Sequence, residues 1–374
     1  MKPSSAEIVE EFENWAVLRH FLPDGWEEQA RVSGALKRAR GVSTAEALLR
    51  TLLIHLANGC SLAETSVRAR RAGICTMSSV ALFKRLRAAE GWLRWLAQSV
   101  RGSNLNSVKE LGRRLRAVDA TTVSEPGSTG TDWRIHYSVN LSDLQCDFFE
   151  LTDVKGGETL RRVPIKRHDI LMGDRIYATP PGVAHVMDAQ GDLIVRVNRQ
   201  SLPLFDGTGN RLEILKVVRE LKSGQVREWS AAVHHPKGHW LRGRLIAVRR
   251  SIAATRLQRK RLMRRASRRQ YKLSKESLEA AKYFMVWTSL PDSFSGSTVL
   301  EFYRLRWQIE LVFKRMKSIM GLGHLPKADP ISCRAWLHGK VFVALLVERM
   351  IGAANSISPW GYQLDTASKS MEGI

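Results

Sequence analysis

The chain of 374 residues predicts an α/β fold, in which helices cover a mixed β-sheet and a helical region precedes it. Three observations support this prediction. Apolar residues recur at helical spacing through residues 1–110. Three strand-like runs follow between Leu115 and Val154, separated by Gly, Ser and Asp, and they indicate an antiparallel meander. From Asp169 to Asn198 strand-like and helical runs alternate, which places helices on the faces of the sheet.

The first 110 residues are predicted to form a helical N-terminal domain. Its segment STAEALLRTLLIHLANG opens with a Ser-Thr cap and closes on Asn58-Gly59. Two more helices follow, joined by a turn at 72–73, and the second begins at Ser78 or Ser79. The pattern favours a helix-turn-helix that binds DNA. The alternative is a small helical bundle whose basic residues are merely solvated. The second helix carries Lys84, Arg85 and Arg87.

Charge indicates a polyanionic partner. The chain has 59 Lys and Arg against 36 Asp and Glu, for a formal net charge of +23 and a pI near 10.4. Nucleic acid is the first candidate and a membrane surface the second, but apolar stretches such as 341–347 are far too short to span a bilayer. The acidic start of the chain lacks the pattern of a signal peptide, so we expect a cytoplasmic protein.

The cysteines and histidines show no metal-binding spacing. Cys60, Cys75, Cys146 and Cys333 form no C-x-x-C pair, and the ten histidines include no H-E-x-x-H motif. We therefore expect reduced thiols, and any metal ion should be held by oxygen ligands.

Residues 201–290 are predicted to form a β-rich region that includes a basic helix. Strand-like runs occur near 227–235, 239–250 and 282–290. Between Arg249 and Lys275 twelve residues are Lys or Arg and none is acidic. Because such a helix repels itself, a phosphate backbone would stabilise it best. The alternative is a solvated, partly disordered loop.

Two aspartates occupy costly positions. Asp119 lies within the apolar strand AVDATTV, and Asp174 ends the apolar run ILMG. A carboxylate there needs an ion pair or a bound cation, although a turn or capping role is the alternative for Asp174. A third acid, Glu310, lies on a predicted helix over 298–319. Three carboxylates without nitrogen or sulfur ligands suit Mg²⁺ or Mn²⁺.

The predicted helix over 298–319 is amphipathic. At about 100° per residue, Tyr303, Arg306, Glu310 and Lys317 fall within an arc of about 60°. These residues are expected to form a solvated stripe along the helix, with one acidic side chain among basic ones. The opposite face is predicted to hold Leu305, Ile309, Val312, Phe313 and Met316.

The spacing of Tyr303, Arg306, Glu310 and Lys317 resembles the Y-R-E-K signature of the insertion-sequence-four family of DDE transposases. Further resemblance lies in AVDATTV, DWRIHYSVNL, FFELTDVKGGETLRR and ILMGDRIY, and in two segments near the start, SLAETSVRARRAG and VALFKRLRAAEGWLR. It extends from about residue 45 to 350. The resemblance implies a ribonuclease-H-like core, interrupted by a mostly β insertion domain between the second and third acids.

The same resemblance implies a function and a catalytic triad. The family's acids correspond to Asp119, Asp174 and Glu310, which would bind two Mg²⁺ or Mn²⁺ ions. The implied reaction cuts the terminal inverted repeats of a bacterial insertion sequence and joins the freed 3′-OH to target DNA, with a homodimer on the paired ends. One departure is Ile176, where the family commonly has glycine.

Several residues are expected to contact DNA. Tyr303, Arg306 and Lys317 would hold phosphates, with Lys314 and Arg175 as helpers. The candidates on the basic helix are Arg261 and Arg265. Phe284, with Trp287 behind it, is the candidate for contact with a flipped base, although both could be core residues. His136 could reach the site but suits a hydrogen-bonded core histidine.

These features predict four segments: a DNA-binding domain at 1–110, the first part of the catalytic domain at 111–200, the insertion at 201–290, and the last part of the catalytic domain with C-terminal helices at 291–374. Two alternative functions stay open. One is a catalytically inactive DNA-binding regulator, and the other is a metal-dependent endonuclease that cuts without joining.

Overall fold

The computed structural model describes residues 14–37, 41–101, 112–323, 325–326 and 328–357. The acidic start of the chain, the predicted boundary near residue 110 and the segment 358–374 lie outside the described residues. The chain divides into two compact units. The first comprises Met1–Ser103, Thr122–Trp133 and Lys314–Ile374, and the second comprises Asn104–Thr121 and Arg134–Phe313.

The helices, in chain order, are α1 Asn14–His20, α2 Trp26–Val32, α3 Ala45–Asn58, α4 Leu62–Arg71, α5 Ser79–Ala88, α6 Glu90–Val100, α7 Pro180–Asp188, α8 Ile214–Val218, α9 Ile252–Arg268, α10 Lys275–Ala280, α11 Gly296–Leu305, α12 Trp307–Ser318 and α13 Pro330–Ile357. The strands are β1 Arg114–Val123, β2 Trp133–Asn140, β3 Cys146–Asp153, β4 Asp169–Gly173, β5 Asp192–Arg196, β6 Val226–Ser230, β7 Val233–His234, β8 Trp240–Leu241, β9 Arg244–Arg249 and β10 Tyr283–Thr288. Short 3₁₀ turns lie at Leu160–Arg162 and Arg175–Tyr177.

Helix α3 begins and ends where the sequence predicts, and α5 begins where it predicts. The Thr44 side chain caps α3 by accepting a hydrogen bond from the Ala47 N–H, and α3 ends at Gly59 in the left-handed conformation. Ser78 caps α5 in the same way. Helices α4 and α5 pack together and are joined by a short turn, so the predicted helix pair is confirmed as structure. Its role in DNA binding stays a prediction.

The second unit is built on a mixed sheet, as predicted, and this sheet has eight strands in the order β3-β2-β1-β4-β5-β10-β9-β6. Strands β1, β4 and β5 run parallel, whereas β10 is antiparallel to both β5 and β9. Alternate residues of β4 enter different clusters: Leu171 packs towards α7, and Ile170 and Met172 pack with Val299 and Tyr303 of α11. Helices therefore cover both faces of the sheet.

The strands of the region 201–290 extend this same sheet. Strands β6, β9 and β10 pair in sequence beyond β5, while β7 and β8 form a separate two-stranded hairpin. The acid-free basic run forms a 17-residue helix, α9, as predicted. Its partly buried residues recur at helical spacing (Thr255, Gln258, Arg259, Leu262), and its basic residues mostly face outward.

The helix predicted over 298–319 is two helices, and the prediction of one continuous helix is wrong. Helix α11 ends at Leu305, and Arg306 interrupts the pattern before α12 begins at Trp307. Tyr303 is 5% exposed and belongs to the core, whereas Leu305, predicted to be buried, is 42% exposed. The Tyr303 ring packs against Phe284, with the ring centres 5.5 Å apart, a contact that the amphipathic pattern does not predict.

In the part of the chain that the structure describes, the helices are too short or too polar to cross a bilayer.

Candidate active site

Asp119 and Asp174 lie at the same level on neighbouring parallel strands. The register of β1 and β4 pairs Ala117 with Met172, and each aspartate comes two residues later. Neighbouring strands are about 4.8 Å apart, and parallel strands end at one edge of a sheet. The fold therefore brings these two carboxylates together at the point where β4 ends, while β1 continues to Val123.

Few contacts stabilise the negative charge of the Asp119 carboxylate. Its side chain is 23% exposed, its Oδ1 accepts one hydrogen bond of 2.8 Å from the Ala120 N–H, and Arg306 Nη1 lies 3.8 Å from its Oδ2. Burial raises the pKa of Asp119 to about 6, even though Ala120 and Arg306 act to lower it. The negative charges of Glu158 and Asp174 raise it further.

Asp174 follows β4 directly and begins the 3₁₀ turn. Its Oδ1 atom is buried and accepts no hydrogen bond from the described residues, and Arg196 Nη1 lies 3.7 Å from it. Beside it, burial and the neighbouring Arg196 lower the pKa of Arg175 to about 10. A buried carboxylate oxygen without a hydrogen bond is costly unless a cation or donor satisfies it.

Glu310 reaches the same region from the first turn of α12. Arg306 donates a hydrogen bond from Nη2 to Glu310 Oε1, four residues on, while its Nη1 faces Asp119. The Glu310 side chain is 59% exposed. One guanidinium therefore links the first and third carboxylates predicted from the sequence.

Tyr303 contacts the backbone next to one of these carboxylates. Its hydroxyl donates a hydrogen bond of 3.3 Å to the carbonyl oxygen of Gly173, the residue before Asp174. Burial raises the pKa of Tyr303 to about 12, so the phenol stays protonated. The expectation that Tyr303 lies on a solvated stripe is wrong, because its ring packs in the core and its hydroxyl contacts the backbone of the turn.

The aromatic candidates of β10 differ in exposure. Phe284 is partly buried, and the guanidinium carbons of Arg196 and Arg250 lie 5.5 and 5.4 Å from its ring centre. Trp287 is fully buried, and its indole N–H donates to the Ala231 carbonyl oxygen at 2.9 Å. Of these two rings, only that of Phe284 reaches the surface.

Sequence reasoning missed the acidic side chain of Glu158. It lies in the loop after β3, where Arg134 Nε contacts its Oε1 at 3.2 Å, and both side chains are largely buried. Burial raises the pKa of Glu158, and the charge of Asp174 adds to this rise. A glutamate after two glycines gives no sequence signal, because only the β2-β3 hairpin brings it towards Asp119.

His136 is buried on β2 and is bound to the fold. Its Nε2 lies 3.0 Å from the Thr152 hydroxyl, and burial lowers its pKa to about 4. The imidazole is therefore neutral near pH 7, which matches a hydrogen-bonded core histidine.

A basic cavity of about 670 Å³ begins beside the second aspartate. Arg175 and Arg265, two of the predicted DNA contacts, both line it, and Arg261 is exposed on the same helix as Arg265. The cavity walls carry four more cations, Arg199, Arg211, Lys216 and Arg250. On α12, Lys314 and Lys317 are exposed and belong to the first unit.

The donor set of the three acids fits a hard divalent cation. Asp119, Asp174 and Glu310 offer carboxylate oxygens only, and one oxygen of Asp174 is buried without a hydrogen bond from the described residues. These residues could hold the metal ion that the fold class implies.

A second group of potential ligands fits a metal ion poorly. His235 Nδ1 accepts a hydrogen bond of 2.8 Å from the Lys237 N–H, so its neutral form carries the proton on Nε2, which faces Asp188 at 3.2 Å. The rings of His235 and His239 stack at 4.0 Å. Both nitrogens of His235 are thus already engaged, Nδ1 within the turn between β7 and β8 and Nε2 with the end of α7.

A mixed sheet that presents two aspartates on adjacent parallel strands, a glutamate on a later helix and a cationic cavity beside them defines a DDE-type enzyme acting on nucleic acid. Comparison with known proteins agrees. Residues 151–346 match the family described as the transposase DDE domain. The chain belongs to the DDE transposase family, and its signature is consistent with the insertion-sequence-four group.

Similarity to individual transposases extends over nearly the whole chain. A protein named as transposase InsL for insertion sequence element IS186A of Escherichia coli strain K12 is 34% identical over 358 residues, covering 93% of this chain and 96% of that protein. The transposase for insertion sequence element IS421 of Escherichia coli is 33% identical over 359 residues, with the same coverage. The chain is therefore a DNA transposase, an enzyme that acts on DNA, and its family implies dependence on a divalent metal ion.

Proposed function

We propose that this transposase cuts the terminal inverted repeats of a bacterial insertion sequence and joins the freed 3′-OH to target DNA, with Asp119, Asp174 and Glu310 as the catalytic acids. The observation that carries the proposal is the side-by-side placement of Asp119 and Asp174, with one Asp174 oxygen buried and lacking a hydrogen bond from any described residue. The three acids would hold two Mg²⁺ ions, or Mn²⁺ in their place. When bound, the ions would activate the attacking oxygen and stabilise the leaving 3′ oxygen.

The chain's own residues position the DNA backbone around these acids. Arg306 offers a planar guanidinium next to Asp119 and Glu310, where a phosphate can exchange for one carboxylate. Tyr303 fixes the turn that carries Asp174 through its hydrogen bond to Gly173. Further phosphate contacts are proposed for Lys314, Lys317 and Arg175. Joining is a transesterification between phosphodiesters, so it needs no ATP.

The basic cavity and α9 supply a path for DNA away from the acids. Arg175 and Arg265 line one cavity, so a strand that reaches Asp174 can continue along α9 past Arg261. Phe284 is the proposed contact for a base outside the stack, because its ring is partly exposed beside Arg196 and Arg250.

The domain roles are part of the same proposal. The helix pair of region 1–110 would grip DNA, regions 111–200 and 291–374 would form the ribonuclease-H-like catalytic domain, and region 201–290 would act as the insertion that carries α9. Two ends must be cut together, so the active species would be a homodimer on paired ends. The protein would act in the bacterial cytoplasm, where its DNA lies.

The decisive experiment incubates the purified protein with Mg²⁺ and supercoiled DNA carrying the element's terminal repeats. Joined products support the proposal. Nicks without joining would indicate an endonuclease, and retention of DNA without cleavage would indicate a regulator.

The triad assignment is tested by Glu310→Gln, which should abolish cleavage while end binding persists. The matched control is Glu301→Gln, an exposed glutamate on α11 that should leave cleavage unchanged. Cleavage at the wild-type rate by the Glu310 variant would refute the assignment.

A further inference from the structure

Tyr177 is a buried tyrosine whose hydroxyl has no hydrogen-bond partner among the described residues. It lies in the 3₁₀ turn three residues after Asp174, and its side chain is 1% exposed. The ring packs against Gly173, where an added Cβ would lie only 2.9 Å from the Tyr177 Cβ. The Tyr177 N–H donates to the Asp174 carbonyl oxygen at 3.0 Å. The ring position is therefore tightly fixed to the turn that carries Asp174.

The hydroxyl does not serve the fold as it stands. A buried hydroxyl without a hydrogen bond has lost its water and gained no partner, which is costly. Phenylalanine would fill the same space without this cost. The Tyr177 hydroxyl is therefore expected to gain a hydrogen-bond partner in another state of the molecule.

Three carboxylates of the site are close enough for their charges to act on this hydroxyl. Burial raises the pKa of Tyr177 well above its usual value, and the negative charges of Asp119, Glu158 and Asp174 add to the rise. The phenol therefore stays protonated and can only gain by donating. Among these acids, Glu158 is paired with Arg134 at 3.2 Å, and the buried Oδ1 of Asp174 is the oxygen assigned above to the cation. Within the described residues, Asp119 Oδ2 has only the 3.8 Å contact with Arg306.

We propose that Tyr177 is a positioning residue of the carboxylate site, whose hydroxyl donates a hydrogen bond to Asp119 when divalent cations bind. This inference rests on the proposed function, in which Asp119 and Asp174 hold the cations. This hydrogen bond fixes the orientation of the Asp119 carboxylate, as a residue that hydrogen-bonds to a metal ligand commonly does. The side chain contacts neither DNA nor cation.

The test compares wild type, Tyr177→Phe and a control, Tyr283→Phe, which alters another buried tyrosine of the same unit. Thermal unfolding in EDTA measures the role of the hydroxyl in the ion-free fold. Calorimetric titration with Mn²⁺ measures cation affinity without DNA. Near-ultraviolet circular dichroism confirms that each variant is folded.

In EDTA, Tyr177→Phe should unfold at the same temperature as wild type or higher. Its Mn²⁺ affinity should fall about tenfold, the effect of losing one hydrogen bond to a charged group, while Tyr283→Phe binds as wild type does. Equal Mn²⁺ affinity of Tyr177→Phe and wild type, or a lower unfolding temperature in EDTA, would overturn the proposal. If wild type itself bound no Mn²⁺, the proposed function would fall and this inference with it.

Discussion

Arg306, the residue between α11 and α12, lies next to Asp119 of β1, with its Nη1 3.8 Å from the Asp119 Oδ2. The same guanidinium binds Glu310 one helical turn further along. One cation therefore lies between two acids that are 191 residues apart in the chain.

Replacing Arg306 with alanine should impair the reaction more than the fold. The variant loses a phosphate-binding fork and the cation that offsets Asp119 and Glu310, so cleavage of end DNA should fall by about tenfold or more. The free energy of unfolding should change by about 1 kcal/mol, because the Glu310 side of the contact is exposed. Arg304→Ala, an exposed arginine two residues earlier, is the control. Equal cleavage by both variants would contradict this role.

Asp119→Asn should stabilise the ion-free protein at pH 7. Burial raises the folded pKa of Asp119 to about 6, from an ordinary value of 3.8. Protonation therefore stabilises the fold below about pH 4, and this contribution is lost as the pH rises through 6. An uncharged asparagine avoids the loss, so the free energy of unfolding at pH 7 should rise by about 1–3 kcal/mol.

The pH dependence gives this prediction its control. The gain from Asp119→Asn should shrink as the pH falls from 7 to 4, measured by urea unfolding in EDTA. His136, with a folded pKa lowered to about 4, has the opposite sign: its contribution is lost as the pH falls from 6.5 through 4. That loss occurs in wild type and variant alike and cancels in their difference. A gain that did not vary with pH would refute the assigned pKa of Asp119.

The sequence predicted local structure well because local signals specify it. The cap at Thr44 and the left-handed end at Gly59 bound α3 as expected, and the aspartates at 119 and 174 follow apolar strands that the structure pairs in parallel. The acid-free run formed a helix, α9. In each case the deciding residues lie within a few positions of one another.

Features that depend on distant packing were not predictable. No glycine or proline marks the break at Arg306, and the contact of Tyr303 with Phe284 joins residues far apart in the chain. Glu158 approaches Asp119 only through the β2-β3 hairpin, and the lack of a partner for the Tyr177 hydroxyl among the described residues is visible only in three dimensions. The periodic pattern could show which residues are apolar, but it could not show which partners bury them.

The basic surface of α9 should dominate the salt dependence of DNA binding. The double variant Arg261→Ala with Arg265→Ala removes two proposed phosphate contacts. Because each contact releases about one counterion, the slope of log K against log salt concentration should fall by about 2. Fluorescence anisotropy with labelled duplex from 50 to 300 mM salt, a range of about sixfold, measures it. The control, Lys237→Ala with Arg242→Ala, removes two exposed basic side chains near the β7-β8 hairpin and should leave the slope unchanged. Equal slopes for the α9 variant and wild type would exclude α9 from the interface.

Gly173→Ala should displace the second aspartate. A Cβ at this position would lie 2.9 Å from the Tyr177 Cβ and 3.2 Å from its Cγ, so the turn holding Asp174 must shift. The carbonyl oxygen of Gly173 also accepts the Tyr303 hydrogen bond, so the shift reaches both supports of Asp174. Overpacking of this kind costs about 1–3 kcal/mol in the free energy of unfolding. Cleavage should fall by about a hundredfold, because misplacing a catalytic group by about 1 Å has that effect. Gly207→Ala, where a Cβ meets nothing within 4 Å, is the matched control. Thermal unfolding and end cleavage, measured side by side, separate the two effects: lost stability with full cleavage would show that Gly173 serves packing alone, without positioning Asp174.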